Sequence, residues 1–402
     1  MTAPFELTKT EGWGSLTPLP MRKKTAIFLL AGFFVFLAVF LLKAGKEMAD
    51  FEVNYKAGRR LLAGETLYRT NDQHWQFKYS PFSAMVYVPL SFLPLRAAKG
   101  IWFFAIVASI WIIISCSSKL VLREASAKIV WPFLAFLILA RYFFRELQLG
   151  QINAIITAIL VGMIWQIDHD EETRSSRRRT LAGLFWGLAT ALKPYAVIFL
   201  PYFILKRHFR AAAIGICVII LSLAVPAIFY GVQGDIAVVK EWASSLAQST
   251  PHLFTTQDNI SLLAFVSKRL INQSLALFVF AAAVAILALF GLWLIFAGKK
   301  IKRPALLECA LLLLFIPLLS PLGWDYTFLS SFTVVLLVLE RLASFPKAAR
   351  IFLSLNFALI ALTLYDVLGR TKYAAYMSLS VPTLNFLIIA GALFYLRQAK
   401  KA

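Results

Sequence analysis

The sequence predicts an all-α, polytopic membrane protein. Hydrophobic residues make up 60% of the chain and charged residues only 15%, with a mean hydropathy of +0.75, whereas soluble domains are about 45–50% apolar and about 25% charged. Apolar runs of about 18 or more residues recur along the whole chain, as helices that cross a bilayer require. Lys and Arg are concentrated in short segments between these runs, which is the pattern of cytoplasmic loops.

The net charge of +21 does not indicate a nucleic-acid partner, because the basic residues follow the ends of the apolar runs instead of forming one face. The three cysteines are isolated within apolar segments and the four histidines are scattered, so we expect no disulfide, no metal and no cofactor. The basic clusters are "RKK" at 22–24, "RSSRRR" at 174–179, "KRHFR" at 206–210, "KKIKR" at 299–303 and "RQAKK" at 397–401.

With the basic clusters placed in the cytoplasm, the first span, 25–42, runs outward and both termini are cytoplasmic. No small-residue cleavage site follows that span, so we expect it to remain as an anchor. The other predicted spans are 99–118, 129–147, 150–167, 211–230, 272–297, 305–320, 326–340, 351–367 and 380–397.

Residues 81–95 have two interpretations. The segment contains Pro81, Pro89 and Pro94, and either it is a short broken element that does not cross, or it crosses and a second short hairpin precedes residue 150. The first alternative is preferred. It leaves residues 43–98 as one outer loop, which is expected to meet the outer turns 147–153 and 320–326 and the loops 231–271 and 366–379 at one cavity.

A second irregular segment is 181–210, which has basic residues at both ends and is too short for two full crossings of about 20 residues each. We expect a hairpin of two short helices that breaks at Lys193, because Pro194 disfavours helical geometry at the preceding residue. A lysine at such a position either has a function or extends to the nearest interface. Its expected anionic partner is a carboxylate such as Asp50 or Asp325, or an anionic group of a bound substrate.

The stretch after the first span predicts a helix from Asp50 to Gly64, with the glycine as its C-terminal cap. Phe51, Tyr55, Leu61 and Leu62 give it an apolar side suited to lying on the membrane. Asp50 itself is either the N-cap of this helix or a catalytic base at the bilayer surface. The residues alone leave both roles open.

Four motifs in order resemble glycosyltransferase family 87, a GT-C family whose members use polyprenol-phosphate-mannose. They are D-F-x-x-x-Y-x-A-G-x-x-L-L-x-G-x-x-x-Y at 50–68 with the following "FKYSPF", then "LQLGQIN", "GLATALKPY" and "LLSPLGWDY". The resemblance covers roughly residues 25–340. It implies a GT-C-like bundle of about 10–13 transmembrane or re-entrant helices with a helical first outer loop, in one membrane domain, 1–402, whose core, 25–340, is followed by two C-terminal spans at 341–402.

The resemblance also implies a function: transfer of a sugar, expected to be mannose, from a polyprenyl-phosphate-linked donor to a glycan or glycolipid acceptor. The reaction inverts the anomeric centre at the outer face of the plasma membrane. Asp50 matches the family's acidic residue and is the expected general base. The expected donor-phosphate ligands are Arg59, Arg145 and Lys193. Of these, Lys193 matches a family motif. The expected sugar or acceptor ligands are Tyr55, Tyr79, Gln151, Asn153, Trp324, Asp325 and Tyr326.

Four of the uncharged candidates have a second interpretation. Gln151 and Asn153 suit either sugar hydroxyls or helix capping, and Tyr79 and Trp324 suit either stacking on a sugar or an interfacial aromatic belt. One departure from the family is clear, since many members have a histidine shortly after the tryptophan of "SPxxW", where this chain has Asp325 and Tyr326.

Other functional classes remain as alternatives. A flippase or polymerase of lipid-linked glycans would also use outer basic residues, but neither explains the motif that begins at Asp50. A small-molecule transporter would be expected to show repeated halves and ionisable residues near the middle of the membrane. Apart from Lys193, the predicted spans contain few charges, and the sequence shows no internal repeat.

Overall fold

The computed structural model describes residues 38, 40–43, 46–122, 127–173, 175–296 and 303–398, and within them regular structure is helical apart from one isolated β-bridge. The prediction of an all-α chain is confirmed. The predicted first span, 25–42, lies outside the described residues except for 38 and 40–42, which are helical. The α-helices are α1 (Ala49–Leu62), α2 (Pro81–Met85), α3 (Val88–Ser91), α4 (Leu95–Val121), α5 (Ala127–Leu149), α6 (Asn153–Thr173), α7 (Ser176–Leu192), α8 (Phe199–Leu205), α9 (Phe209–Ala224), α10 (Ala227–Ser249), α11 (Leu262–Ser267), α12 (Gln273–Phe296), α13 (Pro304–Leu319), α14 (Phe332–Glu340), α15 (Lys347–Leu362), α16 (Tyr365–Ser378) and α17 (Val381–Gln398).

The described helices are those of a multi-pass membrane protein. Three of them, α4, α12 and α17, are long and apolar enough to cross a bilayer. Two pairs, α9 with α10 and α15 with α16, pass the same test together but bend by 92° and 100°. Shorter apolar helices cover 194–205 and 304–319. Ten to thirteen crossing or re-entrant helices therefore stay a prediction for the whole chain.

The hairpin predicted over 181–210 is confirmed. Helix α7 ends at Leu192, Lys193 is extended (φ −144°, ψ 120°), and a 3₁₀ turn from Pro194 to Ile198 leads into α8. At 1.5 Å per residue, α7 is about 25 Å long. Lys193 therefore lies close to one membrane thickness from the basic residues at the start of the same helix.

The segments predicted to lie on the outer side are more helical than the sequence suggested. Residues 81–95 form α2 and α3, of five and four residues, each far too short to cross a bilayer. Much of the predicted loop 231–271 is helical, in α10 and α11, and α16 replaces nearly all of the predicted loop 366–379. Each of these two segments contains a glycine at φ near +70°, Gly231 and Gly369, a conformation that glycine adopts without strain.

The bundle has two polar ends, which α6 connects. Asn153 is its first residue, and Asp170 lies about 25 Å further along the helix axis. At the Asp170 end, buried carboxylates are paired directly with basic side chains. We call this group the basic-end cluster, and it consists of Asp168 with Arg303, Asp170 with Arg179, and Glu308 with Lys206 and Arg397. One apolar core, which includes Met48 and Leu396, lies between the two ends.

Candidate active site

Asp50 lies in the first turn of α1. The N-cap position belongs to Met48, whose backbone is left-handed with φ 30°, so Asp50 is not the residue at the cap. Gly150 in the turn after α5 has φ +68°, and a Cβ there would stand 2.7 Å from the Phe51 Cβ. This turn therefore packs directly on the start of α1. The close approach brings the Gln151 side chain to the Asp50 carboxylate.

The apolar side of α1 faces protein, and the expectation that it lies on the membrane was wrong. Phe51 and Leu61 are fully buried, Tyr55 is 8% exposed, and only Leu62 is largely exposed, at 42%. The Tyr55 hydroxyl donates to the Leu93 carbonyl at 2.8 Å, which ties α1 to the segment 81–95. An amphipathic pattern alone does not distinguish a protein surface from a lipid surface.

The packing of α1 on the segment 81–95 is tight enough to require a glycine. A Cβ at Gly58 would stand 2.8 Å from the carbonyl carbon of Tyr87. The Tyr87 ring lies 4.7 Å from that of Trp102 and 6.1 Å from that of Phe51. The glycine and aromatic positions of the first motif are therefore used to fix α1, and with it Asp50.

The Asp50 carboxylate is bound by an amide. Gln151 Nε2 donates to Asp50 Oδ2 at 2.6 Å and to the Tyr326 hydroxyl at 3.2 Å. The Tyr79 hydroxyl donates to Gln151 Oε1 at 2.8 Å. Burial raises the pKa of Tyr79, and the charges of Asp50 and Glu146 raise it further, so Tyr79 remains a donor at neutral pH.

Lys193 is bound by a second amide two residues along the same turn. Its Nζ donates to Asn153 Oδ1 at 2.7 Å and lies 4.8 Å from the centre of the Tyr79 ring. The Tyr195 hydroxyl donates to the same oxygen at 3.3 Å. Among the described residues, no carboxylate oxygen lies within 4 Å of Nζ. The carboxylate partners expected for Lys193, Asp50 and Asp325, are therefore not in direct contact with it.

The two amides connect these groups into one hydrogen-bonded system. Asn153 Nδ2 donates to Gln151 Oε1 at 3.4 Å and to Glu146 Oε2 at 2.9 Å. Glu146, Gln151, Asn153 and Lys193 are each at most 9% exposed, whereas Asp50 is half-buried. We call the whole set the site network, and its members are Asp50, Tyr79, Glu146, Gln151, Asn153, Lys193, Tyr195 and Tyr326.

Asp325 is adjacent to Tyr326, a member of the site network. Its Oδ1 accepts from the backbone N–H of Tyr326 at 2.8 Å, and its Oδ2 is 3.3 Å from a terminal nitrogen of Arg141. Both members of this ion pair are buried. Trp324 is half-buried and forms the β-bridge with Asn259. The structure therefore places Asp325 in an ion pair next to Tyr326.

Besides Trp324 and Asp325, three predicted site residues lie outside the network. Tyr55 is bonded to the Leu93 carbonyl, as described above. Arg59 is exposed and lies about 13 Å along the α1 axis from Asp50. Arg145 is paired with Asp258 at 3.3 Å. Burial and the charge of Asp325 raise the pKa of Asp258, while Arg145 lowers it.

Glu146 and Arg141 belong to the site region but were missed in the sequence. Both lie in α5, which is otherwise mostly apolar and was interpreted as an ordinary span. A charged residue inside such a span is a signal of function, and this rule, applied to Lys193, would also have selected these two. Among the described residues, no group of three His, Cys, Asp or Glu side chains is placed to bind a metal.

Comparison with known proteins gives the family. Residues 77–321 match the model of glycosyltransferase family 87. A polyprenol-phosphate-mannose-dependent alpha-(1-2)-phosphatidylinositol pentamannoside mannosyltransferase from Mycolicibacterium smegmatis is 24% identical, over 82% of this chain and 77% of the relative. An alpha-(1->3)-arabinofuranosyltransferase from Corynebacterium glutamicum is 26% identical, over 58% of this chain and 52% of the relative.

Among solved structures, apo ArnT from Cupriavidus metallidurans aligns with 93% of this chain and 78% of its own. The sequence identity is 12% and the TM-score 0.40, which is too low to support any conclusion about the site. The family model, by contrast, matches more than half of the chain. The chain therefore belongs to glycosyltransferase family 87 and is a membrane glycosyltransferase.

Proposed function

We propose that the chain transfers a sugar, expected to be mannose, from a polyprenyl-phosphate-linked donor to a glycan or glycolipid acceptor. The observation that supports this most strongly is that Asp50 and Lys193 bind neighbouring amides, Gln151 and Asn153, of one short turn. A base and a cation are the two groups that this displacement uses. The activity named for the Mycolicibacterium smegmatis relative supports the donor class.

The proposed reaction is a single inverting displacement. Asp50 accepts the proton of the acceptor hydroxyl while the hydroxyl oxygen attacks the anomeric carbon of the donor sugar. The bond between that carbon and the phosphate oxygen breaks, and its electron pair stays on the polyprenyl phosphate. Attack opposite to the leaving group inverts the anomeric centre, and no covalent sugar–enzyme bond forms.

Lys193 is the cation proposed to bind the donor phosphate. Its described polar contact is the neutral Asn153 oxygen, so its charge is not cancelled by direct contact with a carboxylate. Charge that develops on a leaving phosphate is best stabilised by a fixed cation that needs no rearrangement. Arg59 is distant from Asp50 and Arg145 is paired with Asp258. Neither is therefore proposed to bind the donor phosphate.

The sugar is proposed to lie between the site network and the turn at 320–326. Tyr79, Gln151, Asn153 and Tyr326 offer polar groups there, and Trp324 an aromatic face. Mannose is the first choice because a relative that aligns with 82% of this chain is a mannosyltransferase. The arabinofuranosyltransferase relative makes a pentofuranose the second choice.

The proposed orientation puts the site network on the extracytoplasmic side and the basic-end cluster in the cytoplasm, with both termini cytoplasmic. It follows from the positive-inside rule. Single cysteines at Thr70 and Arg96, both exposed, should react with an impermeant thiol reagent added outside intact cells. A cysteine at the exposed Ser176 should react only after permeabilisation. The opposite labelling pattern would contradict the proposed orientation.

The function is tested directly by supplying the purified protein in vesicles with defined donors. Polyprenyl-phosphate-mannose and polyprenyl-phosphate-arabinose are offered separately with glycolipids extracted from cells that lack the protein. We expect one donor to yield a new glycolipid, heavier by one sugar of inverted anomeric configuration in mass and NMR analysis. Absence of transfer from every polyprenyl-phosphate donor, with transfer from a nucleotide sugar, would refute the proposal.

A further inference from the structure

Glu146 is the carboxylate of the site network to which no role has yet been given. It lies in the last turn of α5 and is fully buried. Its Oε1 accepts from the backbone N–H of Ala154 at 2.8 Å and its Oε2 from Asn153 Nδ2 at 2.9 Å. The carboxylate therefore lies against the first turn of α6, where the helix dipole and free N–H groups favour an anion.

These contacts fix the orientation of the Asn153 amide. An ionised carboxylate only accepts hydrogen bonds and a lysine ammonium only donates them. Asn153 lies between Glu146 and Lys193, so its NH₂ group must face the carboxylate and its oxygen must face the ammonium. With the amide reversed, a donor would meet Lys193 and an acceptor would meet Glu146, and both contacts would be unfavourable for these buried groups.

The same orientation extends to Asp50. Asn153 Nδ2 also faces Gln151 Oε1, at 3.4 Å, which leaves the Gln151 NH₂ group facing the Asp50 carboxylate. Glu146 forms no direct ion pair with Lys193, because the neutral Asn153 amide lies between them. An ammonium has three donors, and its contact with Asn153 uses one of them.

We propose that Glu146 is a positioning residue of the transfer reaction, which orients the Asn153 amide so that Lys193 is presented as an uncancelled cation to the phosphate of the donor. This inference rests on the proposed function. It assigns no proton transfer and no substrate contact to Glu146. Its effect on donor binding passes through Asn153, and this route can be measured.

The test is a double-mutant cycle of Glu146→Gln and Asn153→Ala in the purified full-length protein. Affinity is measured for polyprenyl phosphate and for neutral polyprenol of the same length. In the parent background, Glu146→Gln should weaken polyprenyl phosphate binding by about 10- to 100-fold, the range for loss of one hydrogen bond to a charged group. Polyprenol binding should stay within about twofold, because polyprenol lacks the phosphate that Lys193 is proposed to bind. Glu65→Gln, an exposed change of the same kind, should alter neither.

In the Asn153→Ala background, Glu146→Gln should change polyprenyl phosphate binding by less than about threefold, because the amide on which it acts is gone. Equal losses in both backgrounds, or equal losses for phosphate and polyprenol, would overturn the inference and leave Glu146 a structural residue. If Glu146→Gln does not fold, Glu146→Asp, which keeps the charge but shortens the side chain, takes its place in the same cycle. A parent protein that binds polyprenol and polyprenyl phosphate equally would overturn the proposed donor as well, so the two failures are distinguishable.

Discussion

The site network and the basic-end cluster treat buried charge differently. At the basic end, each carboxylate contacts its base directly, as between Lys206 Nζ and the Glu308 oxygens at 2.8 and 2.9 Å. In the site network, the Asn153 amide stands between Glu146 and Lys193. The basic-end carboxylates are as deeply buried as Glu146, between 1% and 6% exposed at the side chain. Burial alone therefore does not separate the two ends.

The difference lies in what each arrangement leaves for a ligand. A direct ion pair cancels both charges, and removing one partner leaves the other buried and unpaired. Charges separated by neutral amides keep most of their electrostatic potential. This arrangement stabilises the fold less than a direct ion pair, so purely structural sites avoid it. Such unneutralised charges are typical of sites that bind or transform charged groups. The comparison predicts that mutations at the site network reduce activity, while mutations in the basic-end cluster reduce stability.

The largest effect is expected for Asp50→Asn, which keeps the shape of the side chain but removes the base. Turnover should fall by about 10²–10⁴-fold, as is typical for loss of general base catalysis, with the unfolding temperature nearly unchanged. The matched control is Asp72→Asn, which changes a carboxylate in the segment after α1 that is paired with Arg60 and lies outside the network. Transfer assays in vesicles compare the two, and similar turnover in both variants would contradict the role of Asp50.

The next effect belongs to the basic end. Lys206→Met leaves Glu308, 1% exposed at the side chain, with Arg397 3.8 Å away as its remaining basic partner. We expect a loss of about 3–5 kcal/mol in the free energy of unfolding. Lys240→Met, an exposed change of the same kind, should cost almost nothing. Thermal unfolding in detergent gives both values, and equal stability of the two variants would show that direct pairing does not stabilise this end.

A smaller effect tests the packing that positions Asp50. Gly58→Ala puts a methyl group 2.8 Å from the Tyr87 backbone, which should cost about 1–3 kcal/mol through overpacking. Turnover should also fall, because α1 must move. Gly100→Ala in α4 has no atom within 4 Å of the new methyl group and should be neutral or slightly stabilising. A neutral Gly58→Ala in the same unfolding assay would mean that this contact is not tight.

The smallest effect is the pH dependence of the stability that the ion pair between Arg60 and Asp72 contributes. The hydrogen bonds of Arg60 hold the pKa of Asp72 below its usual range. The pair therefore stabilises the folded state above about pH 3.9, the pKa of an unfolded Asp, and this stabilisation is lost as the pH falls through the lower folded value. The difference in stability between parent and Asp72→Asn should be below about 1 kcal/mol at pH 6. It should vanish near pH 2–3, and a difference that grows on acidification would contradict the sign.

Local rules predicted several features from sequence. Proline geometry placed the helix break at Lys193, and cap residues placed the end of α1 near Gly64, because both depend on neighbouring residues only. The structure also brings Asp50, Tyr79, Gln151, Asn153, Lys193 and Tyr326 into one network. That agreement depended on motifs, since spacing alone does not show which outer turns meet.

What the sequence did not predict depends on distant partners. Arg145 pairs with Asp258, which is 113 residues away in the sequence. Without knowledge of that partner, the positive charge of Arg145 suggested that it binds phosphate. The buried side of α1 was assigned to the membrane because its partners, Tyr87 and Trp102, follow in later elements. Glu146 was missed because it lies in the last turn of an apolar helix. The role proposed for it depends on the orientation of the Asn153 amide, seven residues later.

The central claim is that Lys193 is kept unneutralised for a phosphate, and one measurement tests it directly. Thermal unfolding of the parent and of Lys193→Met is followed with and without polyprenyl phosphate. Because the partner of Lys193 is a neutral amide, the variant should unfold within a few degrees of the parent. Polyprenyl phosphate should raise the unfolding temperature of the parent and not that of the variant. A variant as strongly destabilised as Lys206→Met, yet still stabilised by polyprenyl phosphate, would contradict the account.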